Sequence, residues 1–154
     1  MFDERITRLG KVFDPENIDK LRQSLESMEL PVIPLDVTIG EMQTLLSYHG
    51  NMLAYLQANL ERVAMAERKQ EDAYEQVYNR VYAEIGKVSS DHKVATLKNI
   101  TLNNKDVKEA KQKLMDIRDA KSAVEARIQA LEEQNVSLRK IASLKSTALQ
   151  YNLE

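Results

Sequence analysis

Seven lysines, Lys87, Lys93, Lys98, Lys105, Lys108, Lys111 and Lys113, fall within 27 residues of a 154-residue chain. Clustered cations are what phosphate neutralisation needs, because counterion release depends on charge density more than on a fixed motif. Beside them Tyr74, Tyr78 and Tyr82 recur at steps of 4. Tyr74 belongs to an apolar seam described below, whereas Tyr78 and Tyr82 drift onto its flank. Exposed tyrosines next to lysines form a stacking platform for single-stranded nucleic acid. In that chemistry Lys87, Lys93, Lys98, Lys105 and Lys108 contact phosphates, and Tyr78 and Tyr82 stack on bases. The same residues have a plainer reading, in which lysines solubilise a turn and flank tyrosines pack against a neighbouring subunit.

Charge is unevenly distributed around this cluster. Residues 1–41 carry 5 basic and 9 acidic groups, 42–85 carry 4 and 6, 86–114 carry 7 and 3, and 115–154 carry 6 and 6, so only the lysine cluster is net basic. The formal net charge of -2 conceals this asymmetry.

Other chemistries find little material. With no cysteine there is no thiolate nucleophile, disulfide or cysteine-based zinc site. The two histidines lie far apart: His49 falls in the seam opposite Leu138 as a packed, partly satisfied ring, and His92 lies in the basic turn. The segment "IGKVSS" has Gly86 and Lys87 but lacks the spaced glycine and preceding strand of a phosphate-binding loop. Paired carboxylates, Glu71 with Glu75 and Glu132 with Glu133, sit on exposed helix faces without the concave pocket that acid-base work needs. No enzyme, metal or cofactor is expected. "MFDERITRLG" carries charges where a signal peptide needs an apolar stretch, and no run approaches membrane-spanning length, so the expected setting is soluble and cytoplasmic.

The elements that must position the lysines are helices. Charged residues make up 30% of the chain and aromatics 5%, too little bulky apolar material for a thick core but enough for long helices burying a narrow stripe. Phe2, Ile6, Leu9 and Phe13 mark a short amphipathic helix, and Asp14 with Pro15 opens a second that buries Ile18, Leu21, Leu25 and Met28. Pro31 and Pro34 then make "ELPVIPLDV" extended chain, whose Leu30, Val32, Ile33, Leu35 and Val37 need cover. Thr38 and Glu41 stand at capping-box spacing and start a long helix running to about Ile85, where Gly86 and the following serines break the pattern. A last helix starts near "NNKD" and continues almost to the C-terminus, each long helix spanning roughly 70 Å at helical rise.

Both long helices carry seams. Met42, Leu46, His49, Leu53, Leu56, Leu60, Val63, Glu67, Gln70, Tyr74, Val77 and Val81 alternate steps of 4 and 3, as do Val107, Ala110, Leu114, Ile117, Lys121, Val124, Ile128, Leu131, Asn135, Leu138, Ala142, Lys145 and Leu149. Folding back about residue 94 makes facing layers sum to about 188: Val81 with Val107, Tyr74 with Leu114, Leu60 with Ile128, Leu46 with Ala142. The polar exceptions test this register. Glu67 falls opposite Lys121, which predicts an ion pair in the seam that fixes the alignment. Asn135, opposite Leu53, has no such partner and is left to a neighbouring subunit or to water.

The expected architecture is all-α: residues 1–37 as a helical and extended arm, and 38–154 as a long antiparallel, coiled-coil-like helical hairpin with a basic turn at 86–105. A single seam leaves the flanks uncovered, including Tyr48, Tyr55 and Met65 and the alanines 120, 123, 126 and 130, so a homo-oligomer is expected.

Residues 42–150 resemble the phage recombination mediators of the UvsY-like type. The resemblance lies in "YEQVYNRVYAEI", in the lysine-containing turn "HKVATLKNITLNN", and in "KDVKEAKQKLMDIRDAKSAVEARIQALEEQNVSLRKIASL". It implies an oligomer that binds single-stranded DNA and helps a RecA-like recombinase displace single-strand binding protein, with the basic turn and adjoining helix ends touching DNA. The rival expectation is a non-enzymatic phage structural or interaction protein, a virion component or an inhibitor of a host defence protein, using the same helical faces for protein contacts.

Overall fold

The computed structural model describes residues 36–88, 91 and 93–151, together with 19, 23, 30 and 33. The first expected N-terminal helix, all of the second but Asp19 and Gln23, which are helical, most of the proline-containing stretch, and His92 lie outside the described residues. The continuous helices among the described residues are, in order, α1, Ile39–Val88; α2, Val94–Asn103; and α3, Lys105–Tyr151. Among the described residues there is no strand. The chain divides into two compact units, one of Met1–Glu61 with Ser122–Glu154, the other Arg62–Lys121.

The start of α1 is locally encoded. The Glu41 carboxylate accepts from the Thr38 backbone N–H at 2.7 Å and from its hydroxyl at 2.8 Å, while the Glu41 N–H donates back to the Thr38 hydroxyl oxygen at 3.2 Å. Two backbone donors that the first turn would leave open are thereby satisfied. These bonds from Thr38, backbone first, hold the Glu41 carboxyl below its usual range, helped by the positive charge of Lys145.

In the first unit α1 and α3 bury their facing stripes against each other. Val37, Met42 and Leu138 form a closed cluster, with Ile33, Leu45, Leu46, Ile141 and Ala142 packed around it. The seam lysine Lys145 is not a solvated exception, since its ammonium donates to the Val37 carbonyl just before α1 begins. His49 is fully buried, with Nδ1 2.7 Å from the Leu45 carbonyl and Nε2 2.8 Å from the Gln134 side-chain oxygen. The seam is wider here than a single heptad stripe, because Met52 and Asn59, three residues beyond His49 and Leu56, are buried as well. Asn59 donates its amide to the Tyr55 carbonyl at 3.0 Å. Asn135 is partly buried, and its Oδ1 is enclosed without a hydrogen-bond partner. Such a group costs about 1–3 kcal/mol.

In the second unit Val81, Val107, Leu114 and Ile117 are buried, and Gln70 donates across to the Ala110 carbonyl at 3.3 Å. The ion pair expected across the layers is formed: Lys121 Nζ donates to Glu67 Oε2 at 2.7 Å. Arg118, one turn earlier on α3, adds a bond from Nε to Glu67 Oε1 at 3.1 Å and reaches Glu71 with its terminal nitrogen. Hydrogen bonding from Lys121, and then from Arg118, holds the Glu67 carboxyl below its usual range against the opposing effect of burial.

The expected turn at 86–105 is corrected in one respect, since ten of its residues form α2. α1 also continues through Gly86 to Val88 rather than stopping at Ile85. The segment "VATLKNITLN" has many β-branched residues and weak intrinsic helix preference. Burial of Thr101 and partial burial of Leu97 hold it helical, with the Thr101 hydroxyl donating to the Leu97 carbonyl at 2.8 Å. Asn104 then leaves helical geometry at φ -64, ψ 140, and its side-chain oxygen caps α3 by accepting from the Asp106 N–H at 2.9 Å.

Two outcomes follow from these contacts. Glu67→Lys places like charge beside Lys121 and Arg118 and lowers stability by about 2 kcal/mol, the scale of hydrogen bonds to charged groups; a thermal melt unchanged from the parent protein would show that the pair does not hold the register. Because the Glu41 and Glu67 carboxyls titrate below their unfolded values, the stability they contribute is complete above the ordinary glutamate range. It is lost as pH falls through their folded values, so melting temperature measured against pH declines on the acid side.

Candidate nucleic-acid interface

All five candidate phosphate contacts belong to the second unit, and all are exposed. They occupy helix ends. Lys87 is in the last turn of α1, where a cation complements the helix dipole. Lys93 is the N-cap of α2, with extended backbone at φ -61, ψ 147 and no capping bond from its side chain. Lys98 lies midway along α2, and Lys105 and Lys108 start α3. Lys111 and Lys113 continue the exposed series on α3.

Lysines near the N-termini of α2 and α3 are placed against the helix dipole, which favours anions there by about 0.3–1 kcal/mol per charge. Helix stability therefore does not account for Lys93, Lys105 and Lys108. Positive helix ends and ammonium groups together attract an anion. Two of the three acidic residues of the basic segment are engaged with cations: Asp106 lies 3.5 Å from Arg80, and Glu109 3.8 Å from Lys105. Both are exposed, so they trim the local field without cancelling it.

The tyrosines are less free than the sequence suggests. Tyr74, Tyr78 and Tyr82 are half-buried and form a ladder along α1, with ring centroids 6.2 Å apart for the first pair and 6.1 Å for the second. Tyr78 and Tyr82 are nearly parallel, at 15°. Side chains four apart are neighbours on one helix face, which produces this stack.

Continuing three residues along the same face leads to Ile85. There a shallow cleft of about 560 Å³ opens, lined by Ile85 of α1, Thr96, Asn99, Ile100 and Asn103 of α2, and Asn104. Reading the sequence as a turn missed this feature, because Thr96, Asn99, Ile100 and Asn103 share a face only once the segment is helical. Arg118 and Lys145 were missed for another reason: each is a long side chain whose partner is set by the opposite helix. A Glu67–Glu71 pair one turn apart, facing Arg118 and Lys121, was the available signal for the first.

Among the described residues there is no group of three or more potential metal ligands, and no helix is long and apolar enough to cross a membrane. Comparison with protein-family models, with curated proteins and with solved structures gave no match to this chain. Within the second unit the site is all-α, with lysine-bearing helix ends beside a tyrosine ladder.

The dipole argument yields a stability outcome separate from any ligand. Lys93→Asp supplies a side-chain cap and a favourable charge to α2, and raises stability by about 0.5–1 kcal/mol in chemical denaturation. A loss of stability would show that Lys93 itself supports the fold.

Proposed function

We propose that the chain is a non-catalytic accessory protein that binds single-stranded DNA through the basic end of its second unit. The observation that carries this reading is the placing of exposed lysines at the N-terminal ends of α2 and α3, where they oppose the helix dipoles and attract an anion. Lys87, Lys93, Lys98, Lys105 and Lys108 contact phosphates. Bases stack at the end of the Tyr78–Tyr82 ladder, a contact that tolerates any sequence because every base has a π face.

The wider role follows from the resemblance of residues 42–150 to UvsY-like mediators: in this reading a homo-oligomer presents several basic ends to one strand and helps a RecA-like recombinase displace single-strand binding protein in phage recombination. Repetition of the site lets individually weak contacts act together. Exposed apolar side chains, Met65 at 70% and Leu144 at 72% exposure, supply surface for self-association. The same side chains favour a second reading, a phage structural or inhibitory protein that assembles through its helical faces without nucleic acid.

Anisotropy titration of a fluorescent single-stranded oligonucleotide at several salt concentrations distinguishes the two. Submicromolar binding at low salt is expected, with log affinity falling against log salt by about 0.7 per phosphate neutralised. Lys98→Glu with Lys105→Glu should reduce both the affinity and the slope. Absence of binding at micromolar protein in low salt would overturn the DNA-binding reading in favour of assembly.

A further inference from the structure

We propose that the cleft between the end of α1 and α2 is a nucleobase pocket that receives an unstacked base of the bound strand, held by the Asn99 and Asn103 side chains over Ile85 and Ile100. The inference rests on the single-strand reading above and gives its basic end a second kind of contact.

The lining has the chemistry of a base site rather than an ion site. Among the described residues the lining holds no charged group: two isoleucines offer apolar surface, and a threonine and three asparagines offer hydroxyl and amide groups. Primary amides carry both donors and an acceptor, matching the mixed edges of nucleobases, and apolar contact covers the base face. At about 560 Å³ the cleft lies within the range of small-ligand sites, roughly 300–1,000 Å³.

Local bonding leaves hydrogen-bonding capacity where the pocket needs it. Asn104 is committed to the cap of α3 through its oxygen, so it forms a wall. Asn103 donates to the Asn99 backbone carbonyl at 2.9 Å, which fixes its amide orientation and leaves its oxygen as an acceptor for the ligand. Asn99 lies one turn away on the same exposed face of α2.

The surroundings favour a base carried on a phosphate backbone over a neutral peptide. Lys98 immediately precedes Asn99, Lys105 immediately follows Asn104, and Lys87 lies two residues beyond Ile85, so cations flank the uncharged lining along the chain. On α1 the tyrosine ladder reaches Ile85 in steps of 4 and then 3. A strand stacked at Tyr82 therefore has its next base directed to the cleft.

The test compares a normal oligonucleotide with an abasic one of equal length and charge, using the full chain at fixed salt. The abasic strand should bind roughly tenfold more weakly, the scale of one good base-edge contact. Asn99→Ala with Asn103→Ala should narrow the gap between the normal and abasic strands, what remains of it being stacking at the tyrosines, while leaving the salt slope unchanged. Circular dichroism and the abasic affinity of that variant report whether α2 and the phosphate contacts survive. Equal binding of both strands by the parent protein, or an undiminished base preference in a folded double variant, would overturn the pocket while leaving phosphate binding intact. Failure of either strand to bind at low salt would instead remove the single-strand reading itself.

Discussion

A carboxylate set into an apolar seam must find a cation or give up its charge, and Glu67 finds two. Lys121 comes from the facing seam position and Arg118 from the preceding turn of α3, which also engages Glu71. Leucine and valine layers resist a slip of one heptad only weakly, because each apolar layer resembles the next. A charged layer differs from its neighbours, since displacement by one turn would set Glu67 against apolar side chains and leave Lys121 unpaired. In this way the Glu67 layer supports the alignment of α1 with α3 in the second unit, and with it the position of the basic helix ends.

The first unit handles its polar seam residues differently. His49 is enclosed by the Leu45 carbonyl and the Gln134 side chain, and Lys145 reaches the Val37 carbonyl, so each polar group finds an uncharged oxygen instead of an ion. Asn135 is the exception, with a buried oxygen left open. Low local dielectric strengthens the satisfied bonds and makes the unsatisfied one costly. The two units thus meet the same requirement, a narrow seam with polar interruptions, by ion pairing in one and by hydrogen bonding to uncharged oxygens in the other.

At the basic end, stability and the proposed binding role pull apart. Lys93, Lys105 and Lys108 sit where helix dipoles disfavour cations, and α2 leaves Val94, Ile100 and Leu102 substantially exposed. Local departures from the stabilising choice are characteristic of surfaces that meet a partner. The tyrosine ladder, the uncharged cleft and the flanking lysines together provide a stacking surface, hydrogen-bonding groups and positive charge.

Much of this was determined by sequence-local rules. Steps of 3 and 4 place Met42 to Val81 on one face of α1 and Val107 to Leu149 along α3; burial is complete at Leu56, Val107, Val124, Leu131 and Leu138, and fades at Leu149, which is half exposed. Thr38 and Glu41 announced the helix start, and the Glu67–Lys121 contact followed from adding two seam positions, because helical repeat is a short-range property. Tertiary structure decided what propensity and periodicity could not. α2 is helical through burial of Thr101 and partial burial of Leu97, Arg118 and Lys145 find partners across the helix pair, and the cleft exists only where α2 lies beside α1. Backbone spacing along a helix is set by neighbouring residues, whereas the destination of a long side chain and the state of a weakly helical segment depend on what packs against them.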